Sequence, residues 1–490
     1  MAIDIYKSEV ETRDNRLGAV IAYHGSASEL QQSSKTRQVK EDVRLYSQCS
    51  DCSQGCAETL SYMIRDAAIV VHSPLGCLDP VEKYERITAS SRARGLDIPK
   101  IQVISTNIGM EATVYGGVKI LKEAIHEAYK RFSPKAIFIH SSCAAGIIGD
   151  DIESVVSEVE EELGIPIVPI YCEGFKSKTW ASGFDAVFHG VLRKIVRTPQ
   201  KKQEDLVNII NFSGRDTFTP FLKKLNLRAN LVVPNATIEQ LAQMSEAACT
   251  THICESLGTY VAAALEDKFK VPQVKAPSPY GIDWTDKWIR ELTKVANRTE
   301  LAEKVINEEH ERLAPIVEEY KKQLKGKKAY IYAGDSYSHN LANMVKDFGM
   351  EIVGITTLHH DQTTDDKNTN LDTLNELIQS VGDVKNFSVC NKQPFIMHKI
   401  LTELKPDILI TRHNSIATIG TKLGIPSIRA NDVNVLSCYD GVINLGARII
   451  DALQSNKFFK TISEHVEFPY SSWWLNQSDP FYFDKKAATK

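Results

Sequence analysis

The sequence predicts an α/β protein built from three Rossmann-like units, each a doubly wound parallel sheet. Three observations carry this reading. Short β-branched runs at residues 68–71 (AIVV), 101–104 (IQVI), 136–139 (AIFI) and 167–170 (IVPI) alternate with helical stretches, as βαβ repeats require. Between the second and third runs, Val118, Leu121, Ile125, Ala128 and Phe132 recur at helical spacing and define one buried face. The alternation then restarts at residues 206–212 and again at 329–332, continuing through 351–354 and 407–410.

A chain of 490 residues is too long for one core. Residues 1–45, polar apart from 17–22, read as an N-terminal arm that wraps another surface, expected at a subunit interface. The first α/β domain then covers 46–200 and ends in a charged linker at 198–205. A second, 201–325, contains AACTTHICESLGTY at 247–260 leading into a helix at 261–268, then a charged helical region, 286–324, with Pro315 as a candidate kink. The third covers 326–490 and ends in an aromatic tail at 468–474. A net charge of −4 with both signs interspersed argues against a nucleic-acid surface. No apolar stretch approaches a membrane span, and the first sixteen residues lack the apolar core of a secretory signal, so a cytoplasmic protein with reduced thiols is expected.

Four of the ten cysteines, Cys49, Cys52, Cys56 and Cys77, fall in residues 46–78. Clustered thiols in a reducing compartment indicate a soft-ligand metal site, and the absence of a second CxxC pair or His at zinc-ribbon spacing favours iron–sulfur chemistry over zinc. Cys77 and Cys143 each follow an apolar run and precede a helix, where parallel sheets collect ligands. The chain holds no GxGxxG opening a helix after a strand and no GxxxxGK[ST], so nucleotide chemistry belongs to a partner.

Gly-Cys-Ala at 55–57, His-Ser-Pro-Leu-Gly-Cys at 72–77, Cys143 with Gly-Asp-Asp-Ile-Glu-Ser-Val at 149–155, and Cys-Glu-Gly-Phe at 172–175 occur in one order. In these motifs the chain resembles the catalytic α-subunit of the nitrogenase family, from about residue 55 to its end. The resemblance implies a P-cluster type iron–sulfur relay cluster shared with a homologous β-subunit, with Cys56, Cys77 and Cys143 as this chain's ligands. Cys49 and Cys52 lie outside the pattern and read as local structural thiols. It also implies a large iron–sulfur active-site cofactor anchored by Cys254, followed six positions later by Tyr260 as in the family, in an α2β2 heterotetramer served by an ATP-hydrolysing homodimeric iron protein. A thiolate opening a helix is stabilised by the helix dipole.

The departures from the family narrow the function. The Gln and His that line the cofactor in dinitrogen-reducing members correspond to Trp180 and Phe184. The second cofactor ligand, a His after Gly-Ile-Pro, corresponds to Asn431, and a cofactor-contacting Arg corresponds to Ser336. Replacement ligands or proton donors are sought among His359, His360, His413 and Cys438. The lost His implies a cofactor without molybdenum. An aromatic wall suits a small thioether better than dinitrogen, so the best-fitting relatives are the methylthio-alkane reductases, which cleave carbon–sulfur bonds for sulfur salvage. The rival readings are a cofactor-assembly scaffold and an alternative nitrogenase. A chlorophyllide-type reductase is disfavoured by the Cys254 anchor.

Overall fold

The computed structural model describes residues 3–41, 52–78, 80–211, 215–366, 371–390, 394–431 and 435–476. Cys49 lies outside them. The chain forms two compact units, one of Met1–Arg16, Asp51–Val274 and Leu292–Thr299, the other of Leu17–Ser50, Lys275–Glu291 and Glu300–Lys490. The arm is therefore divided. Ile3 and Ile5 join the apolar core of the first unit, whereas β1 (Ala19–Val20) and β2 (Ala22–Gly25) belong to the second. An arm expected to wrap another subunit is anchored at these positions in its own chain.

In the first unit, β3 (Ala67–His72), β4 (Val103–Ser105), β5 (Ala136–Ser141) and β6 (Ile167–Tyr171) form a parallel sheet of order β4-β3-β5-β6. β3 and β5 are buried along their whole length, which is why they read as continuous apolar runs instead of alternating ones. Successive side chains serve opposite faces. Ile69, Val71 and Phe138 pack into one apolar cluster. Ala68, Val70, Ile137 and Ile139 pack into another with Leu121, Ile125 and Ala128 of the helix Val118–Phe132. Burying one such large side chain contributes roughly 1.5–3 kcal/mol.

β7 (Gln203–Ile210), β8 (Arg228–Leu231) and β9 (Ala247–His252) form a second parallel sheet of order β8-β7-β9. The boundary expected at residue 200 does not separate compact units, because Leu206 and Ile210 of β7 share one apolar cluster with Ile69 and Phe138. The charged segment read as a linker instead runs into β7, whose Asp205 pairs with Arg228 of β8 at 2.6 Å.

In the second unit, β10 (Lys328–Ala333), β11 (Glu351–Thr357), β13 (Phe387–Cys390), β14 (Ile408–Thr411) and β15 (Ser427–Arg429) are parallel, and β2 closes one edge antiparallel. The order is β15-β14-β10-β11-β13-β2, so the connection reverses between β10 and β14. The short β12 (His360–Asp361) pairs antiparallel with β1. The charged region read as one helix is two, Ile282–Val295 and Thr299–Leu324, separated near Asn297, which adopts a left-handed φ of 55°, and Pro315 lies within the second. No helix among the described residues is long and apolar enough to cross a membrane.

The helix Ser53–Ser61 packs against the helix Ser182–Lys194 at Gly183, where an added Cβ would lie 2.0 Å from the Ser53 carbonyl oxygen and 2.9 Å from the Ala57 nitrogen. Gly183→Ala must therefore push these backbones apart, and a loss of about 3 kcal/mol is expected. Chemical denaturation checks this, and an unchanged midpoint would show that the crossing yields freely.

Candidate metal centre and active site

Parallel polarity delivers the loops after β3, β5 and β6 to one sheet edge. His72 of β3 is in register with Ser141 of β5, and Ser141 with Tyr171 of β6. Beyond these residues Cys77 ends a short 3-10 turn, Leu75–Cys77, and Cys143 opens the helix Cys143–Ile148. Ser142 caps that helix by accepting from the Ala145 N–H at 3.3 Å. Gly174 of Cys-Glu-Gly-Phe faces both of the next thiol residues. A Cβ on it would sit 3.0 Å from Cys52 Cβ and 3.6 Å from Cys143 Sγ, so a side chain here would crowd Cys52.

Cys52 caps the helix Ser53–Ser61, its Sγ accepting from the Gly55 N–H at 3.3 Å. Partial desolvation, then the neighbouring Cys52 and Cys143 thiols, push the Cys77 thiol above the ordinary range. The thiols of Cys52, Cys77 and Cys143 thus share one neighbourhood. Cys56, the ligand that the resemblance implies, lies one turn further into the same helix and is half-buried against the apolar cluster of the unit.

Buried polar contacts hold these loops. His72 Nε2 lies 2.8 Å from Asp150, its Nδ1 3.0 Å from Thr106 Oγ1, and Asp150 also accepts from the Gly117 N–H at 2.7 Å. Burial lowers the His72 pKa, with Asp150 opposing. Glu173 accepts from Ser141 Oγ at 2.7 Å. Cys172 is wholly enclosed, and burial followed by Glu173 pushes its thiol well above the ordinary value, as suits a structural cysteine.

Cys254 follows β9 and stands in extended conformation (φ −159°, ψ 120°) as the cap of the helix Glu255–Phe269, its carbonyl accepting from Leu257 and Gly258. Cys254 and Trp180 pack against the apolar cluster that contains Phe184 and Tyr260, and the Trp180 and Phe184 rings meet edge to face at 5.6 Å. His189 Nε2 donates to the Lys7 carbonyl at 3.0 Å, so its Nδ1 accepts from the Tyr260 hydroxyl at 2.7 Å. Sequence reading missed Arg13. This buried guanidinium pairs with Asp185 at 3.0 Å and donates to the carbonyl of Ser256 in the first turn after Cys254.

The remaining candidates belong to the second unit. Ser336 is buried in the first turn of the helix Asp335–Asp347. His413 caps the helix Asn414–Lys422 after β14, its ring edge-on to Tyr332 at 5.8 Å. Asn431 is exposed beyond β15. His360 is tied to Asp365 at 2.8 Å and to Ser34 at 3.2 Å. Burial disfavours its charge, but the Asp365 carboxylate prevails and pushes the pKa up to about 9. His359 is buried, with Nδ1 3.4 Å from Asp361. Cys438 is a core thiol that burial pushes up to about 12.

The parallel sheets with cysteines at their strand ends define the class. Residues 52–454 match the family described as nitrogenase component 1 type oxidoreductase, and the chain belongs to that family. Among individual proteins, it is 31% identical over 310 residues to the nitrogenase molybdenum-iron protein alpha chain of Methanosarcina barkeri, spanning 61% of this chain and 58% of that one. With the corresponding chain of Clostridium pasteurianum the figures are 30%, 63% and 59%, so the match spans under two thirds of either relative. The nitrogenase iron-molybdenum cofactor biosynthesis protein NifE of Methanococcus maripaludis is 28% identical over 412 residues, 81% of this chain and 82% of NifE. Two structures of nitrogenase Cp1, at pH 6.5 and pH 5, share the fold with TM-scores of 0.69 and 0.72 at 22% identity, covering 88% and 94% of this chain and 93% and 100% of theirs.

Arg13→Ala would leave the buried Asp185 with Arg16, 2.5 Å away, as its nearest cation. Breaking a buried ion pair costs about 3–5 kcal/mol when the remaining charge is left alone, and Arg16 keeps the loss below that. The expected result is a lower denaturation midpoint together with faster hydrogen exchange at the start of the helix Glu255–Phe269. Unchanged exchange there would detach the arm from the Cys254 helix.

Proposed function

We propose that this chain is the catalytic subunit of a nitrogenase-like reductase that cleaves a carbon–sulfur bond of small methylthio-alkanes. The observation that carries the reading is the neighbourhood of Cys52, Cys77 and Cys143, three soft donors at one sheet edge. Exposed apolar side chains flank them: Leu75 beside Cys77, Ile147 beside Cys143, Phe175 beside Gly174, with Met110 and Tyr115 on the helix Met110–Tyr115. That helix packs on the Cys143 helix through Ala112 and Ala145. An apolar surface around an incomplete ligand set fits a partner that supplies the remaining thiols.

On this reading Cys52, Cys77 and Cys143 would hold half of a P-cluster type relay shared with a homologous β-subunit in an α2β2 assembly. Cys254 would anchor an active-site iron–sulfur cofactor. Such groups supply electron transfer and storage when bound, with an ATP-hydrolysing iron protein as the electron source. The donor set fits them: thiolates are the ligands of iron–sulfur clusters, and the extended backbone at Cys254 leaves its sulfur at the start of a fifteen-residue helix. Asn431 offers a carboxamide where the family offers an imidazole, which supports a cofactor lacking molybdenum.

Trp180 and Phe184 set the substrate class. Phe184 has no proton to give, and the Trp180 indole is a donor only, so this wall favours an apolar thioether over stepwise protonation of dinitrogen. Converting R–S–CH3 to R–H and CH3SH consumes two electrons and two protons. With His360 tied to Asp365, His413 or water is the proton source this reading assigns.

The scaffold reading is kept because NifE is among the relatives that align over most of the chain, 81% of this chain and 82% of NifE. The purified complex, assayed with its iron protein, ATP and reductant, separates the readings. Methanethiol from dimethyl sulfide or a methylthio-alkyl alcohol, with little ammonia under dinitrogen, is expected. Ammonia without methanethiol would establish a nitrogenase. Neither product, with delivery of a cluster to an apo-nitrogenase, would establish a scaffold.

The ligand assignment is checked by iron content. Cys52→Ala and Cys77→Ala should lose most of the relay-cluster iron and weaken subunit association, whereas Cys56→Ala should keep both. The reverse ranking of Cys52 and Cys56 would return the assignment to Gly-Cys-Ala.

A further inference from the structure

The carboxyl ends of β10 and β11 meet in register, Ala333 opposite Thr357. Two residues beyond each strand stand Asp335 and His359, and Asp361 follows in β12. All three are buried. One donor atom from each lies within 4.8 Å of the other two, and His359 Nδ1 is 3.4 Å from Asp361 Oδ1. Three backbone segments, the helix start after β10, the turn after β11 and β12 itself, thus converge on one point. β12 is held there by its pairing with β1, Asp361 opposite Ala19.

We propose that Asp335, His359 and Asp361 form a mononuclear site for a divalent transition cation. All three donors belong to the second unit, and the proposal does not depend on the function proposed above. Two bonds of about 2.1 Å span at most about 4.2 Å, so the donors need only a small closing movement to share one ion. Two carboxylates enclosed this near one another repel. A dication on both removes the repulsion and takes the imidazole nitrogen as its third ligand. One imidazole and two carboxylates suit Mn2+, Fe2+ or Zn2+ and disfavour the thiophilic Cu+. The consequence is mechanical: the ion ties the start of the helix Asp335–Asp347, with Ser336 in its first turn, to the turn after β11, fixing one end of the sheet edge beside the β10–β14 reversal.

Mn2+ is the probe, because it prefers oxygen and nitrogen to thiolate and reports its ligands magnetically. The anaerobically purified complex, stripped with a chelator that leaves its iron–sulfur content unchanged, is titrated with MnCl2. Electron paramagnetic resonance measures free Mn2+, and electron spin echo modulation of the bound ion reports a coordinated 14N. The expected result is one tight Mn2+ per chain with imidazole modulation. Asp361→Asn should weaken binding at least tenfold, and His359→Gln should abolish the 14N modulation. Cys77→Ala should bind Mn2+ as the parent does. Should Asp361→Asn fail to fold, the modulation in the unmutated protein still decides. Absence of tight Mn2+, bound Mn2+ without 14N modulation, or modulation that survives His359→Gln would each overturn the proposal.

Discussion

Strand polarity is the constraint from which the first unit's chemistry follows. A parallel sheet sends every carboxyl end to the same edge, so three loops far apart in sequence, after β3, β5 and β6, emerge as neighbours. Each then contributes what its local sequence permits. Pro74 and Gly76 shape the turn to Cys77, Ser142 caps the helix that Cys143 opens, and Gly174 leaves room for two cysteine side chains. The fourth contribution comes from a helix and not a strand, and there a close crossing at Gly183 sets the position of Cys52. Soft donors held by buried strands and a backbone-tight crossing are preorganised, which lowers the conformational cost of binding a cluster.

Much of this was legible in sequence because a strand buried on both faces leaves an unbroken apolar run. Residues 68–71, 136–139 and 167–170 all fall inside observed strands, and the five-residue helical pattern falls in the helix Val118–Phe132. The places where reading failed have physical causes. Glu204 and Asp205 look like linker residues because they lie at the solvent end of β7, where Arg228 pairs with Asp205. The expected break at residue 200 is absent because apolar residues of β3, β5 and β7 share one cluster. Arg13 looked like surface charge, since its partners lie 172 and 243 residues away.

The second unit repeats the same polarity with harder donors. Its strand ends present Asp335, His359 and Asp361 where the first unit presents cysteines. A lone aspartate after a strand reads as a helix-start residue, favoured by the dipole, and nothing in its own neighbourhood reveals that the next parallel strand brings a histidine beside it. Register across the sheet holds that information, and local sequence does not. His360, by contrast, points to Asp365 and Ser34, so two adjacent histidines divide between separate carboxylates.

The Trp180–Phe184 pair is bound up with the stability of the first unit. Phe184 and Asp185 are consecutive on the helix Ser182–Lys194, and both are buried. One side chain joins the apolar cluster and meets Trp180 edge to face. The next, turned by about a hundred degrees, receives Arg13 and Arg16. Restoring a histidine at Phe184 would place a polar ring in an apolar cluster, where desolvation favours its neutral form and an unmet hydrogen bond would cost about 1–3 kcal/mol. Any strain there falls on the helix that holds the arm to the start of the Cys254 helix. Exchange of Phe184 therefore requires repacking of this helix, its ion pair and its arm together.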